Sequence, residues 1–127
     1  MHETDILNLA VLFLSLPTLA QSVASGSLDA CNEDGTLVAG WAKDDNYDGS
    51  IAVHFYVDGA LVKALLVDEY RSDVGNSSFN WVPPPFGAGN HTVSAYAIGV
   101  DANGSPNGLN VQLQHSPGFI DAGLHGA

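Results

Sequence analysis

The chain has 127 residues, 46% of them apolar and 13% charged, which is room for one domain with a sizeable core and excludes both two such cores and wholesale disorder. Three basic residues, Lys43, Lys63 and Arg71, stand against 14 acidic ones, a formal net charge of −11, so nucleic acids and anionic membrane surfaces would be repelled. The single cysteine, Cys31, excludes an internal disulfide, a CxxC redox pair and a cysteine-rich zinc site.

Residues 6–20 are apolar apart from Asn8, Ser15 and Thr18 and carry no charge. That is the length of a signal-peptide core, and short of the roughly 20 residues a spanning helix needs. Small residues permit a cut before Gln21 or before Ser25. The acidic start, with Glu3 and Asp5 and no Lys or Arg, departs from the basic opening that leaders usually have. The expected organisation is a leader over residues 1–24, a domain over residues 25–120 and a tail over residues 121–127. The protein is then expected to be secreted or at the cell surface, with no membrane contact after cleavage. Leu28-Asp29-Ala30-Cys31 resembles the lipobox of acylated proteins, but Asp29 and the distance from the apolar core favour a small buried thiol in a first strand.

Beyond residue 25 the apolar residues alternate with a period of two. Residues 28–31 and 36–41 are the first candidate strands, joined by the polar turn Asn32-Glu33-Asp34-Gly35. Ile51, Val53, Phe55 and Val57 share one face of the next strand, with Ala52, His54 and Tyr56 on the other. Asp58-Gly59 suits a two-residue hairpin turn with positive φ, and residues 61–67 supply the return strand. Residues 79–82 form a short strand stopped by Pro83-Pro84-Pro85, which lack the N–H groups a ladder requires. Residues 91–98 alternate again. Residues 101–108 are a loop by composition, and Leu109, Val111 and Leu113 mark a final amphipathic strand. No helical periodicity follows residue 25. Short strands at spacings near ten residues predict an all-β fold, a single antiparallel two-sheet sandwich of six to eight strands.

Several landmarks occur in a fixed order: Gly40-Trp41-Ala42 with Asp44 behind it, Ile51 through Gly59, Arg71-Ser72-Asp73-Val74, Phe79-Asn80-Trp81 leading to Pro83, Gly89-Asn90-His91-Thr92-Val93 with Tyr96-Ala97-Ile98, and His115-Ser116-Pro117. Over residues 27–119 this order resembles an immunoglobulin-like β-sandwich module, common as an accessory domain in secreted and cell-surface bacterial proteins. The resemblance implies a non-catalytic binding or structural module. Ser72 stands where that module usually has proline.

The residues that could carry chemistry are few. Asp44, Asn46 and Asp48, followed by Gly49, have the alternate-oxygen spacing that opens a calcium loop. Position twelve of the helical version would be Phe55 rather than a bidentate Glu, so calcium would need a β-loop variant; the competing reading is a polar turn. Trp41 and Trp81 could stack on sugars, although the end of an apolar run argues for a core Trp41, and alternation with Phe79 for a core Trp81. Tyr56 and His54 share the outer face of one strand and are the best exposed pair for a ligand, such as an extracellular glycan or a surface protein. Arg71 could clamp a carboxylate ligand or tie its own loop through Asp73. The histidines lack zinc spacing, and GxSxG, HExxH, GxGxxG and P-loop motifs are absent. The expected function is thus a secreted, non-catalytic binding or surface module without a resident cofactor. The alternatives are a self-associating surface domain or a small hydrolase whose Ser, His and Asp meet only in space.

Overall fold

In the computed structural model, residues 23–121 are described, and all of their regular structure is β. The strands are β1 (Ser25–Cys31), β2 (Val38–Lys43), β3 (Ala52–Val57), β4 (Ala60–Leu66), β5 (Glu69–Arg71), β6 (Gly75–Trp81), β7 (His91–Ala97), β8 (Val111–Gln112) and β9 (Gly118–Ile120). They form a four-stranded sheet in the order β1-β2-β6-β5 and a five-stranded sheet in the order β4-β3-β7-β8. β8 and β9 share the free edge of β7, β8 pairing with Tyr96 and Ala97 and β9 with residues 91–93. Every strand pairing is antiparallel, and the order is that of an immunoglobulin-like two-sheet sandwich.

The count is one above the expected range because β5 and β9 span only three residues each, too short for periodicity to register; the strand expected at Leu109, Val111 and Leu113 is β8, reduced to two residues. β2 runs two residues later than expected, over residues 38–43. The leader, with its cleavage sites up to Gln21, and the tail beyond Asp121 lie outside the described residues. Ala24 is 2% exposed and belongs to the core, so the packed domain begins before residue 25.

Alternation builds the core. Val53, Phe55 and Val57 from β3 and Val93, Ala95 and Ala97 from β7 face Leu28, Val38, Ala42, Phe79 and Trp81 of the other sheet. Phe55 sits at the centre, edge-on to Phe79 with ring centroids 5.3 Å apart and 4.6 Å from the Trp81 ring. Gly40 lets β1 and Phe79 close in, because a Cβ there would collide with the Ser27 carbonyl and touch the Phe79 ring. The Asp58-Gly59 turn has φ of 52° and 87°, the doubly positive geometry that matches a right-twisted hairpin.

Two tryptophan expectations divide. Trp81 is buried, as its alternation with Phe79 implies, and this removes it from the candidate ligand residues. Trp41 is not core but half-buried, alternating with the buried Gly40 and Ala42, with the Lys43 ammonium 6.0 Å from its ring centroid. The fixed register makes Gly40 and Ala42 the inward pair, so Trp41 must point outward.

One flank of the sandwich is sealed and the other is open. Leu28 N–H donates to the Gln114 carbonyl at 2.8 Å and Gln114 N–H to the Gly26 carbonyl at 3.0 Å, which ties β1 to the chain just after β8. Cys31 ends β1 as a half-buried rather than the expected buried thiol, packed where Gly118 has no side chain and pushed above its ordinary pKa by burial. A lipobox cut before Cys31 would remove the rest of β1. On the opposite flank β4 is a bare edge, with Leu61, Val62 and Leu66 exposed.

Candidate functional site

The charges are distributed unevenly. The strands of the five-stranded sheet contain no Asp or Glu; their basic and imidazole side chains are Lys63, His54 and His91. Among the described residues the acids sit instead in the loops, in β1 and in β5. The outward residues of those strands therefore present no carboxylate to a neutral ligand, and Asp58 stands in the turn between β3 and β4.

The same alternation that buries Val53, Phe55 and Val57 turns His54 and Tyr56 outward, and in β7 it turns Ser94 and Tyr96 outward. Register sets His54 opposite Tyr96 and Tyr56 opposite Ser94. The two tyrosine rings meet edge to face at 5.7 Å, an arrangement that aromatic quadrupoles favour. Around them lies an open depression of about 510 Å³, lined by Tyr56, Gly59, Ser94, Tyr96, Ile98 and Asn110. It combines aromatic walls with a hydroxyl and a carboxamide, the mixture that an uncharged polar ligand requires. Tyr56 is thus placed in a concave site, with His54 half-buried beside it. Tyr96, Ser94 and Asn110 come from distant parts of the sequence, and only their position in alternating, outward-facing runs could have marked them.

Arg71 is committed to the chain's own acids. Its Nε and Nη2 donate to Asp73 at 2.9 and 2.6 Å, and its Nη1 donates to Asp29 at 2.8 Å. Both carboxylates hold the guanidinium pKa well above its ordinary value. Burial pushes Asp29 upward, but hydrogen bonds from Arg71 and Ser27 outweigh it and leave the carboxyl below the usual range. The Nε–Nη2 fork is therefore taken by Asp73 and one Nη1 N–H by Asp29.

The Asp-rich loop is knitted into the fold. Asp44 is 3% exposed; its two carboxyl oxygens accept the Asn46 N–H at 2.9 Å and the buried Val100 N–H at 3.0 Å. The Asn46 carboxamide returns a bond to the Val100 carbonyl at 3.3 Å, whereas Asp48 is exposed. Asp44 and Asn46 thus close on Val100, and Asp48 is turned away to solvent. Among the described residues, no group of three or more His, Cys, Asp or Glu side chains could hold a metal ion.

A serine, a histidine and an aspartate do meet. The Ser27 hydroxyl donates to Asp29 Oδ1 at 2.7 Å and lies 3.1 Å from His115 Nδ1. A bulge at Asp29 breaks the β1–β2 register between Leu28 and Ala30, turning that carboxyl toward Ser27. Here the carboxylate binds the serine; in a hydrolytic triad it orients the imidazole. Ser27 is also only 5% exposed.

No protein-family model, curated protein or solved structure matches the chain.

Proposed function

We propose that this protein is a non-catalytic binding module, secreted or displayed at the cell surface in the manner of immunoglobulin-like accessory domains, and that the outer face of its five-stranded sheet binds a neutral glycan. The observation that carries this reading is the depression formed by Tyr56, Tyr96, Ser94 and Asn110 on a sheet free of acids. Aromatic faces suit the C–H faces of sugar rings, and the hydroxyl and carboxamide suit their hydroxyls. The non-catalytic part rests on the way Ser27 is bonded and buried.

Affinity electrophoresis and calorimetry against cellohexaose, xylohexaose and mannohexaose test it. At least one neutral hexasaccharide should bind, and Tyr96→Ala and Tyr56→Ala should each weaken it about tenfold or more, the loss of about 1.4 kcal/mol. Because both rings lie on the outer face, the thermal midpoint of these variants should fall by only a few degrees. Wild-type protein that binds none of the three, or variants that bind as the wild type does, would refute the reading.

β4 supports a second reading, self-association. It is a seven-residue edge strand with six apolar residues and one lysine, whereas edges that stay solitary usually carry more charge or proline. Sedimentation velocity should then show a concentration-dependent dimer that Leu61→Lys abolishes; a monomer throughout the micromolar range sinks it.

A further inference from the structure

One rim of the depression is the Asp58-Gly59 turn, which joins β3 to β4. Its conformation is held from the side by β7. Asp58 N–H donates to the Thr92 carbonyl at 3.0 Å, and Thr92 N–H donates to Asp58 Oδ1, also at 3.0 Å. The other carboxyl oxygen, Oδ2, lies 2.7 Å from His91 Nδ1, and His91 Nε2 lies 3.1 Å from the Gly87 carbonyl.

Both ring nitrogens of His91 therefore face groups that accept and do not donate. A neutral imidazole carries one N–H and can satisfy only one of them; the imidazolium satisfies both. We infer that His91 is a proton-operated clasp: its imidazolium ties the Asp58-Gly59 turn to the Gly87 loop and keeps the rim of the depression in shape, and loss of that proton releases one side. The inference rests on the binding reading only for its effect on a ligand; the clasp itself stands on the geometry.

The surroundings leave Asp58 as the charge in control. On the far side of β7, the residue paired with His91 is Ile120 of β9, followed by Asp121, whose N–H donates to the Glu33 carbonyl. The Phe86 ring lies 5.9 Å from the imidazole, and Asp34 shares a neighbouring hollow with Phe86 and Ile120. Among the described residues, the carboxylate bonded to the ring is that of Asp58.

The sign follows from the two partners. The hydrogen bond to the Asp58 carboxylate, against an opposing effect of burial, raises the His91 pKa above its ordinary 6.5. The His91 and Thr92 hydrogen bonds lower the Asp58 pKa below its ordinary 3.8. The contribution of His91 is complete below pH 6.5 and is lost as pH rises through the elevated folded value. The contribution of Asp58 is complete above pH 3.8 and is lost as pH falls through the depressed one. The clasp is closed between the depressed Asp58 value and the elevated His91 value, and it opens as pH rises through the latter.

Two measurements on the full chain test this: the His91 imidazole titration by NMR, and amide-exchange protection factors for Asp58 and Thr92, whose N–H groups are bonded across the turn, from pH 5 to 9. The His91 midpoint should lie above 6.5 and move down in Asp58→Asn, and protection of the turn should drop about tenfold or more with that same midpoint. His91→Gln, which can donate to one acceptor but cannot titrate, should leave protection flat across the range. An ordinary His91 midpoint unmoved by Asp58→Asn, protection unchanged across it, or a step that persists in His91→Gln would each overturn the clasp. A protection step in a protein that binds none of the three hexasaccharides would leave the clasp standing and remove only the glycan reading.

Discussion

Phe55→Ala is expected to remove about 3–5 kcal/mol of folding stability, a large share of the roughly 5–15 kcal/mol typical of a domain this size. Phe55 is fully buried and packs against Phe79 and Trp81, so truncation leaves a cavity bounded by two rigid rings and by the backbones of both sheets. Neither sheet can close that gap without breaking its own ladder, which places the cost toward the upper end. Tyr56→Ala, one position along the same strand but on its outer face, should cost only about 1 kcal/mol, the scale of one exposed aromatic pair. Urea unfolding followed by tryptophan fluorescence reads both, since Trp81 reports directly on the core. Equal costs for the two substitutions would mean that the strand does not present Phe55 inward and Tyr56 outward.

Asp44→Ala is expected to cost about 2–4 kcal/mol, because it leaves the N–H groups of Val100 and Asn46 without their acceptor, at about 1–3 kcal/mol for each group left buried and unpaired. The Val100 N–H is the costlier of the two, since Val100 is buried. Asp44→Asn keeps one acceptor oxygen and should lose about half as much. This anchoring role also separates a turn from a calcium loop. If Asp44 works through Val100, the melting midpoint of the wild type should respond alike to calcium, magnesium and sodium chloride at matched ionic strength, as screening of an acidic surface requires. A calcium site filled at a hundredfold excess over its Kd would instead add about 2.7 kcal/mol that the other salts do not. A calcium-specific rise abolished by Asp48→Ala would overturn the anchoring account, because Asp48 takes no part in the contact with Val100.

The period-two pattern from Ile51 to Val57 is enough to declare β3, its inward set and its outward set, because successive side chains on a strand must point to opposite faces. Asp58-Gly59 likewise declares its own turn, since few other residue pairs accept two positive φ values in succession. The acid-free character of the second sheet can also be read along the chain once the strands are placed. Other features depend on the three-dimensional arrangement. Trp41 sits in an apolar run that reads as core in either phase, and the register with β1 and β6 decided that Gly40 faces inward and Trp41 outward. β5 and β9 are too short to carry a period and exist because a neighbouring strand offers them a ladder. The spacing of Asp44, Asn46 and Asp48 fits both a cation and a turn; that Asp44 reaches Val100, 56 residues away, is a contact no local spacing could announce. Tyr96 and Ser94 join Tyr56, and His91 joins Asp58, only because β7 lies beside β3, and Asn110 joins them because β8 lies beside β7. Local sequence determined which face of each strand is apolar. Which outward residues became neighbours was set by strand order, and strand order arises from long-range pairing that no local pattern encodes.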